Sequence, residues 1–510
     1  MDLNQICFGQ KKKKLTDVSA LSGPGKRHSS RRRENRFLWV VLIFSLLLLV
    51  AVGCGGGGSS SSQIDDEAGL PNIDGEEVPP SPDDEAIPSD PEVAADSPFG
   101  VAEHFNTLAT VATQADELGF RAIRLAGPQA IAWDRVQQDG WTNDALYAEL
   151  TAAGYELSVV VLGGNPAATG TLTEYAEFIT ELVERYDGDG TDDAPGSPRI
   201  AIIEIDNEPD LYEGPQEQTP WHGELSETSD YAAVLQTAYA AAKVASPDMQ
   251  VAIAGMGFDV DYYGAILAAL AGETAFDLFN FHYYSPEDKY FQLGVPMING
   301  IDTSPSLAEV QAMLAAVGYA DFPIIITETA TYSGTSFFGT GGGDLPVQTE
   351  REQAISLVRR YLYAATRGVS RIFWFQPLGE AGNALVNGAQ RKLAYYTYMR
   401  MVDELDGVDF AGAQIVCDGD DGIYIHKLIR DGDPVWVLWR DGDESLGTMN
   451  VPVAVGDIGP LRAITSVPSG TVGGDLDFGS YADLFVELEV TPVAGEVTLA
   501  VGAVPIYLRP

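Results

Sequence analysis

Between residues 98 and 405, eight short apolar runs alternate with amphipathic stretches, and this alternation constrains the fold more than any other feature of the chain. The runs begin at Phe99, Arg121, Glu156, Ile200, Val251, Phe276, Pro323 and Arg371. Apolar runs of this length predict buried strands, and the spacing of about 20 to 50 residues leaves room for a helical crossover between them. Buried strands joined in this way pair in parallel through right-handed connections.

The stretches between the runs carry the three- and four-residue apolar spacing of α-helices. The clearest lies at 171–186, where Thr171 and Glu174 have the spacing of a capping box. Further helical patterns lie at 107–118, 143–153, 228–246, 260–272, 305–317, 348–367 and 391–405. Eight strands and eight helices predict a (β/α)8 TIM barrel over residues 98–407. A doubly wound open sheet is the alternative, although no Gly-rich first turn follows Phe99.

After Leu405 the pattern changes to short alternating strands separated by Asp-Gly turns. This pattern predicts a small all-β sandwich over residues 408–510. Its Asp-Gly clusters near Asp418, Asp431 and Asp441 have the composition of calcium loops, but their spacing fits no complete EF-hand. Turns are therefore the favoured interpretation of these clusters.

Residues 1–53 have the layout of an export signal. They hold ten basic and three acidic residues and end in a 17-residue apolar run from Phe37 to Gly53. The sequence AVGC at 51–54, followed by GGGGSSSS, resembles the lipobox of bacterial lipoproteins, which implies lipidation of Cys54. The alternative is an uncleaved single-span anchor. Both interpretations place most of the chain outside the cytoplasmic membrane.

Residues 54–97 predict a disordered tether. From Gln63 to Ser97 the chain has 12 acidic residues, repeated prolines and no Lys or Arg. Such a segment buries too little apolar surface to order itself, and its like charges and prolines extend it. We therefore expect it to act as a spacer between the membrane and the folded part.

Charge and metal-ligand composition exclude several classes of partner. The chain has 74 acidic and 30 basic residues, a formal charge of −44, and so repels the phosphates of nucleic acid. Its five histidines are scattered and its three cysteines, Cys7, Cys54 and Cys417, lie far apart. We therefore expect no nucleic-acid partner, no zinc site, no cofactor and no internal disulfide framework.

Two glutamates stand at the ends of apolar runs. Glu208 lies in the Asp-Asn-Glu-Pro that ends the fourth run, and Glu328 lies in the Thr-Glu-Thr that ends the seventh. Because the carboxyl ends of barrel strands meet at one mouth, we expect the two side chains to face each other. Such a pair can hydrolyse a glycosidic bond, since one acid protonates the leaving oxygen while the other attacks the anomeric carbon. Like-charge repulsion would also raise the pKa of one member of the pair.

Four segments together carry a family resemblance: IEIDNEPD, FNFHYY, IITE and IFWF, on the fourth, sixth, seventh and eighth runs. Over residues 98 to about 405 the chain resembles the clan A retaining glycoside hydrolases, closest to the family 39 and family 5 types. The resemblance implies that Glu208 is the general acid/base and Glu328 the nucleophile. It also implies that Asn207 hydrogen-bonds the sugar 2-hydroxyl.

The resemblance extends to other side chains that would bind or support the substrate. Arg124, at the end of the second run, matches an arginine that these enzymes place near the nucleophile, where its charge would keep Glu328 ionised. Arg124 could instead pair with Glu204 or Asp206. Trp374 on the eighth run would supply the apolar platform on which a sugar ring stacks.

His282 and Tyr284 lie two residues apart on the sixth run and match the His-x-Tyr pattern of family 5. Residues with this spacing share one face of a strand. Tyr284 would then hydrogen-bond Glu328. We count His282 and Tyr284 among the substrate-binding residues.

The sequence therefore predicts an exported, lipid-anchored retaining glycosidase that cleaves a β-linked oligo- or polysaccharide by double displacement. One alternative is a catalytically inert barrel that binds polysaccharide at the cell surface. Another is the substrate-binding component of a transporter, but that class needs two similar α/β lobes. The sequence does not determine which sugar or which linkage is cleaved. It also leaves open whether the action is endo or exo, and what the oligomeric state is.

Overall fold

The computed structural model describes most of the chain from Ser97 onward. The described residues are 97–103, 112–163, 171–211, 228–257, 259–270, 272–284, 296–297, 301–302, 305–335, 346–379 and 381–510. The predicted export signal, Cys54 and the tether up to residue 96 lie outside them. Within these ranges no helix combines the length and the apolar content needed to cross a membrane.

Eight parallel strands form a barrel, and each falls on one of the predicted apolar runs. They are β1 Phe99–Ala102, β2 Ala122–Leu125, β3 Glu156–Leu162, β4 Ile202–Asn207, β5 Gln250–Gly255, β6 Phe279–Tyr284, β7 Ile324–Ala330 and β8 Val369–Phe375. Hydrogen-bonded neighbours follow the order β5-β4-β3-β2-β1-β8-β7-β6. Isolated parallel bridges, Ala252 with Leu278 and Met256 with Phe281, close the remaining seam between β5 and β6. The predicted TIM barrel is confirmed.

Nine α-helices occur in the described part of the chain. They are α1 Ala112–Leu118, α2 Trp133–Asp139, α3 Asp144–Ala152, α4 Leu172–Tyr186, α5 Thr228–Ala245, α6 Val260–Ala269, α7 Leu307–Ala316, α8 Glu350–Ala365 and α9 Leu393–Leu405. Helices α4, α7 and α8 each begin with a capping box, formed at α4 by Thr171 and Glu174 as predicted. Helix α2 was not predicted, because Trp133 is its one buried residue and it therefore has no apolar stripe.

Shorter elements join these strands and helices. The two-residue strand Ile131–Ala132 pairs with β3, and two-residue hairpin strands occur at Pro296–Met297, Ile301–Asp302, Val386–Asn387 and Gln390–Arg391. Turns of 3-10 helix lie at Gly127–Gln129, Pro209–Leu211, Glu444–Leu446, Gly473–Asp475 and Phe478–Leu484. The turn at Pro209–Leu211 follows Glu208 directly and therefore belongs to the mouth of the barrel.

The C-terminal region is an antiparallel β-sandwich, as predicted. Its strands are β9 Gln414–Asp420, β10 Ile423–Arg430, β11 Asp433–Arg440, β12 Met449–Ala454, β13 Leu461–Thr465, β14 Glu487–Val490, β15 Glu496–Val501 and β16 Ile506–Arg509. One sheet has the order β9-β10-β11-β16-β13-β14, and β12 pairs with β15 in the other. Apolar side chains from both sheets, including Ile425, Leu438, Val451 and Leu499, form a separate core between them.

Strands β10 and β11 of the six-stranded sheet are buried on both faces along most of their length. Along β10, Ile423 and Ile425 join the core of the sandwich, whereas Tyr424 and Leu428 join the core of the barrel. This division follows from the two-residue period of a strand. The fully buried guanidinium of Arg359, on α8, donates to the carbonyl oxygens of residues 440, 442 and 503 at 2.5–3.1 Å. The sandwich is thus fixed to the barrel by apolar packing and by a buried cation.

Candidate active site

Six of the seven predicted barrel site residues meet in one hydrogen-bonded network at the carboxyl ends of the strands. They are Arg124 on β2, Asn207 and Glu208 at the end of β4, His282 and Tyr284 on β6, and Glu328 on β7. The seventh, Trp374 on β8, lies elsewhere in the packing. The strand ends bring together residues that are up to 204 positions apart in the sequence.

Arg124 joins β2 to β4 and β7. Its side chain is fully buried, and its Nη1 donates to Oε1 of Glu328 at 2.5 Å. Its Nε and Nη2 donate to the two carboxylate oxygens of Glu204 at 2.8 and 2.9 Å, and Nη2 also donates to Oδ1 of Asn207 at 2.7 Å. Burial alone would lower the pKa of Arg124, but the charges of Glu204 and Glu328 outweigh it and raise that pKa. The sequence left open whether Arg124 pairs with Glu328 or with Glu204, and the structure contains both pairs.

Glu328 has two further neighbours that favour its ionised form. The hydroxyl of Tyr284 donates to Oε2 of Glu328 at 2.5 Å, which is the predicted hydrogen bond. Burial would raise the pKa of Glu328, but the charges of His282 and Arg124, with the hydrogen bonds from Tyr284 and Arg124, hold that pKa below its usual value. The carboxylate is thus in the state that a nucleophile requires.

A β-bulge in β7 sets the direction of Glu328. Ile325 pairs with Asn280 on β6, and the next paired residues are Glu328 and His282, so β7 contains one extra residue between the two pairs. Bulges of this kind redirect side chains and are common beside active sites. The amide of Asn280 compensates for the interrupted ladder, since its Oδ1 accepts the backbone N–H of Thr327 at 3.2 Å.

The end of β4 is irregular on either side of Asn207. Asp206 and Glu208 have φ angles of 74° and 48°, in the left-handed region that residues with side chains seldom adopt. The Oδ1 of Asp206 accepts the backbone N–H of Asn207 at 2.7 Å, and Pro209 begins the following 3-10 turn. Strain of this kind costs about 1–3 kcal/mol per residue and occurs mostly at functional sites.

A second carboxylate fixes this turn to the segment that follows β5. The buried side chain of Asp210 accepts the backbone N–H groups of Gly257 at 3.0 Å and Asp259 at 2.9 Å. The backbone N–H of Glu208 also donates to the carbonyl oxygen of Gly255 at 3.1 Å. The strained turn that carries Glu208 is therefore held from the neighbouring strand.

His282 lies between the two glutamates. Its Nδ1 is 2.7 Å from Oε1 of Glu208 and 3.6 Å from Oε2 of Glu328, and its Nε2 is 3.1 Å from the hydroxyl of Thr327. Burial would lower the pKa of His282, but the charges of Glu328 and Glu208 raise it above its usual value. The sequence places His282 among the substrate-binding residues, whereas the structure shows it as a partner of both carboxylates.

The two glutamates remain accessible although their surroundings are buried. The side chain of Glu208 is 14% exposed and that of Glu328 is 11% exposed, whereas those of Arg124 and His282 are 0% exposed. An oxygen of Glu208 lies within 4.8 Å of an oxygen of Glu328. A small group that enters the mouth can therefore contact both carboxylates at once.

The same cluster has the ligand types of a metal site. Glu208, His282 and Glu328 each offer one ligand atom, and these atoms lie within 4.8 Å of one another. A second such group, on the turn after α4, consists of Asp187, Asp189 and Asp193. The sequence does not reveal the first group, because its members lie on three different strands and form no ligand motif.

The structure does not support the platform expected from Trp374. Its side chain is 0% exposed, and its indole N–H donates to the carbonyl oxygen of Asn383 at 3.0 Å. A ring enclosed on all sides offers no face to a sugar. The apolar run that identified Trp374 as a strand residue is equally compatible with a core position, and Trp374 occupies one here.

Sequence reasoning missed three supporting residues. Glu204 appeared only as an alternative partner of Arg124, and Thr327 and Asp210 were not assigned a role. A partial signal exists for Glu204, since it lies four residues before Glu208 on the same strand. The roles of Thr327 and Asp210 depend on the bulge and on the turn, which have no signature in the sequence.

Asp206 is a buried carboxyl beside this network. Its side chain is 4% exposed. Burial raises the pKa of Asp206 to about 7, with the hydrogen bond from the Asn207 N–H acting against this change and the charge of Glu204 adding to it. Asp206 therefore binds a proton in the folded protein at pH values where an unfolded aspartate has released it.

Comparison with known proteins identifies the fold. No family model matches the chain, and no curated protein matches its sequence. Many solved structures are similar to it. One is an α-L-arabinofuranosidase from Thermotoga maritima in complex with arabinose, with a TM-score of 0.55 and 12% sequence identity, over 81% of this chain and 96% of that one.

Two others are a glucosidase from Croceicoccus marinus and a monomeric β-xylosidase from Caulobacter crescentus. The glucosidase has a TM-score of 0.52 and 12% identity, over 80% of this chain and 94% of that one. The β-xylosidase has a TM-score of 0.51 and 17% identity, over 82% of this chain and 97% of that one. At such low identity the similarity shows that the chain shares their overall fold, over a larger share of its length than the barrel alone occupies.

The raised pKa of Asp206 predicts a pH-dependent stability. From about pH 4 to pH 7 the unfolded chain releases this proton while the folded protein retains it, so stability falls by about 4 kcal/mol as the pH rises through this window. Asp206→Asn removes the titration and keeps an acceptor for the Asn207 N–H. The difference in free energy of unfolding between the variant and the wild type should therefore change by about 3 kcal/mol in favour of the variant as the pH rises from 5 to 8.

Urea denaturation at pH 5 and at pH 8 measures this difference. The control is Asp116→Asn, the same chemical change at an exposed position of α1, which should follow the pH trend of the wild type. An equal effect of Asp206→Asn at both pH values would contradict the assignment.

Proposed function

We propose that the protein is a retaining glycoside hydrolase that cleaves a β-linked glycan by double displacement, with Glu328 as nucleophile and Glu208 as general acid/base. The observation that carries this proposal is the approach of the two carboxylates, which have oxygens within 4.8 Å of each other. Retaining enzymes hold their two carboxyl groups about 5–5.5 Å apart, whereas inverting enzymes leave about 6.5–9.5 Å for a water molecule. An approach of two carboxylate oxygens to within 4.8 Å is compatible with the spacing of the retaining class.

In the first step Glu328 attacks the anomeric carbon and the glycosidic C–O bond breaks. The electron pair stays with the leaving oxygen, which takes a proton from Glu208. The product is a glycosyl ester of Glu328. Arg124 and Tyr284 support this step, because their hydrogen bonds favour the ionised carboxylate before it attacks.

In the second step a water molecule replaces the leaving group. Glu208, now ionised, takes a proton from this water while the water oxygen attacks the anomeric carbon and the bond to Glu328 breaks. His282 supports this step, since its Nδ1 lies 2.7 Å from Glu208 and can donate to the ionised carboxylate. The configuration at the anomeric carbon is therefore retained overall.

The similar structures support a glycan as the substrate. They include a glucosidase, a β-xylosidase and an α-L-arabinofuranosidase. Both groups of the proposed mechanism have hydrogen-bonding partners in this chain, Arg124 and Tyr284 at Glu328 and His282 at Glu208. These partners favour catalysis over the alternative of an inert polysaccharide-binding barrel.

We further propose that the enzyme acts outside the cytoplasmic membrane, anchored through a lipid on Cys54. This proposal rests on the sequence alone, namely the basic segment, the apolar run to Gly53 and the lipobox-like AVGC.

Expression of the full chain in a bacterial host with a labelled fatty acid should label the wild type and not Cys54→Ser. Labelling of the variant would contradict lipidation at Cys54, and no labelling of the wild type would favour the single-span anchor. The control is Cys417→Ser, which alters a buried cysteine of the sandwich and should keep the label.

Glu328→Ala and Glu208→Ala should each abolish most of the activity, but azide should rescue them differently. Azide can replace the missing nucleophile in Glu328→Ala and should give the α-glycosyl azide by one inversion. In Glu208→Ala it should attack the glycosyl ester and give the β-glycosyl azide. The loss in Glu208→Ala should be about 10²- to 10⁴-fold in kcat on substrates with poor leaving groups.

Proton NMR of the azide products from aryl β-glycosides distinguishes the two outcomes. Glu149→Ala, at an exposed position of α3, is the matched control and should retain full activity. Identical product configurations from the two active-site variants would contradict the assigned roles, and no turnover by the wild type on a broad glycan panel would contradict the proposed function.

Tyr284→Phe should shift the pH profile. The Tyr284 hydroxyl is one of the groups that lower the pKa of Glu328, so its removal raises that pKa. Since the nucleophile acts when ionised, the acidic limb of kcat/KM should move to higher pH, and the loss should be greater at pH 5 than at pH 7. Tyr239→Phe, which removes a partly buried hydroxyl 3.5 Å from Oδ1 of Asp277 on another part of the barrel, should leave the limb in place. An unchanged limb in Tyr284→Phe would contradict this role of the hydroxyl.

A further inference from the structure

The imidazole of His282 occupies the space that a side chain at position 255 would need. Gly255 is the last residue of β5 and pairs with Asn207 on β4. A Cβ placed on Gly255 would lie 2.5 Å from Cδ2 and 2.9 Å from Cε1 of His282 and would also collide with Nε2. Real Cβ atoms do not approach other heavy atoms this closely.

The backbone of Gly255 does not itself require glycine. Its φ angle lies outside the left-handed region in which most glycines of the described chain are found. Its N–H donates to Oε1 of Glu204 at 3.1 Å, and its carbonyl oxygen accepts the N–H of Glu208 at 3.1 Å. An alanine could make both of these bonds, and the nearest obstacle to a side chain here is the ring of His282.

The ring of His282 has little freedom to move away. It is 0% exposed, its Nδ1 is bound to Glu208 and its Nε2 to Thr327. A methyl group on residue 255 would displace the His282 ring away from β5. This shift would break or lengthen the contact between Nδ1 of His282 and Glu208. Interiors packed at this density transmit such a displacement directly to the next side chain.

We propose that Gly255 is a positioning residue, whose missing side chain lets His282 lie across β5 and orient Glu208. This inference rests on the proposed function of Glu208 as general acid/base. Gly255 touches no reacting atom, and its backbone bonds to Glu204 and Glu208 are ones that any residue could make, so the absence of its side chain acts through His282. Its effect should therefore vanish once the imidazole has been removed.

The test is a double-mutant cycle between Gly255→Ala and His282→Ala, read as kcat/KM on an aryl β-glycoside. Gly255→Ala in the wild-type background should lower kcat/KM about 10- to 100-fold, as expected for a displaced catalytic group. In the His282→Ala background the same change should cost less than about 3-fold, because the methyl group then enters the vacated space. Equal losses in the two backgrounds, or no loss in either, would overturn the proposal.

Gly264→Ala is the matched control. This glycine lies on α6, where an added Cβ would meet the Met313 side chain at an ordinary 3.8 Å. The variant should keep the activity of the wild type, and its Tm should not fall, since alanine favours the interior of a helix over glycine. If Gly255→Ala alone does not fold, the comparison of His282→Ala with the double variant still decides the question, because both leave room for a side chain at position 255.

A readout independent of activity separates this inference from the proposed function. In an NMR titration of the five histidines, the His282 signal of Gly255→Ala should titrate at lower pH than in the wild type, because the carboxylates that raise its pKa are then farther away. The Tm should fall with Gly255→Ala in the wild-type background and not in the His282→Ala background. If the wild type cleaves no glycan, the proposed function fails, and these two measurements still decide the role of Gly255.

Discussion

The buried guanidinium of Arg124 is the interaction on which the rest of the site depends. It binds Glu328 and Asn207 directly, and it binds Glu204 through two parallel hydrogen bonds of the bidentate kind that arginine forms best. Without this cation, the carboxylates of Glu204 and Glu328 would lose the positive charge that pairs with them in the barrel interior. Breaking a buried ion pair typically costs about 3–5 kcal/mol. The same charge that stabilises the folded barrel also keeps the candidate nucleophile ionised.

The sequence predicts the elements because they follow from periodicity. Apolar runs fix the eight strands, and the strand-end positions of Glu208 and Glu328 place both carboxylates at the mouth. Arg124, Asn207, His282 and Tyr284 are identified only through the resemblance to clan A glycoside hydrolases. The sequence gives no means of deciding which side chains bond to which. Whether Arg124 pairs with Glu204 or Glu328 depends on atoms that are 80 and 204 positions away in the chain. The structure shows that both pairs form.

The features that sequence reasoning missed are departures from regular geometry. The left-handed residues Asp206 and Glu208, the bulge before Glu328 and the close approach of His282 to Gly255 all lie next to a carboxylate of the site. Each breaks a local preference that is used to predict structure. The bulge is held by the side chain of Asn280, the turn at Glu208 by the carbonyl oxygen of Gly255, and the ring of His282 by Glu208. Locally unfavourable geometry is expected to concentrate where a fold carries its function.

The docking of the sandwich on the barrel limits how the two parts can be exchanged. Helix α8 is buried along most of its length, and so is α9, because the barrel covers one side of each and the C-terminal region covers another. The side of each helix that faces away from the barrel is therefore also buried. Arg359 on α8 donates to carbonyl oxygens of the sandwich across this interface. A chimeric protein that took its barrel from this chain would also have to contain this sandwich. Exchange of either domain between proteins should give a folded product only when both sides of this interface come from the same protein.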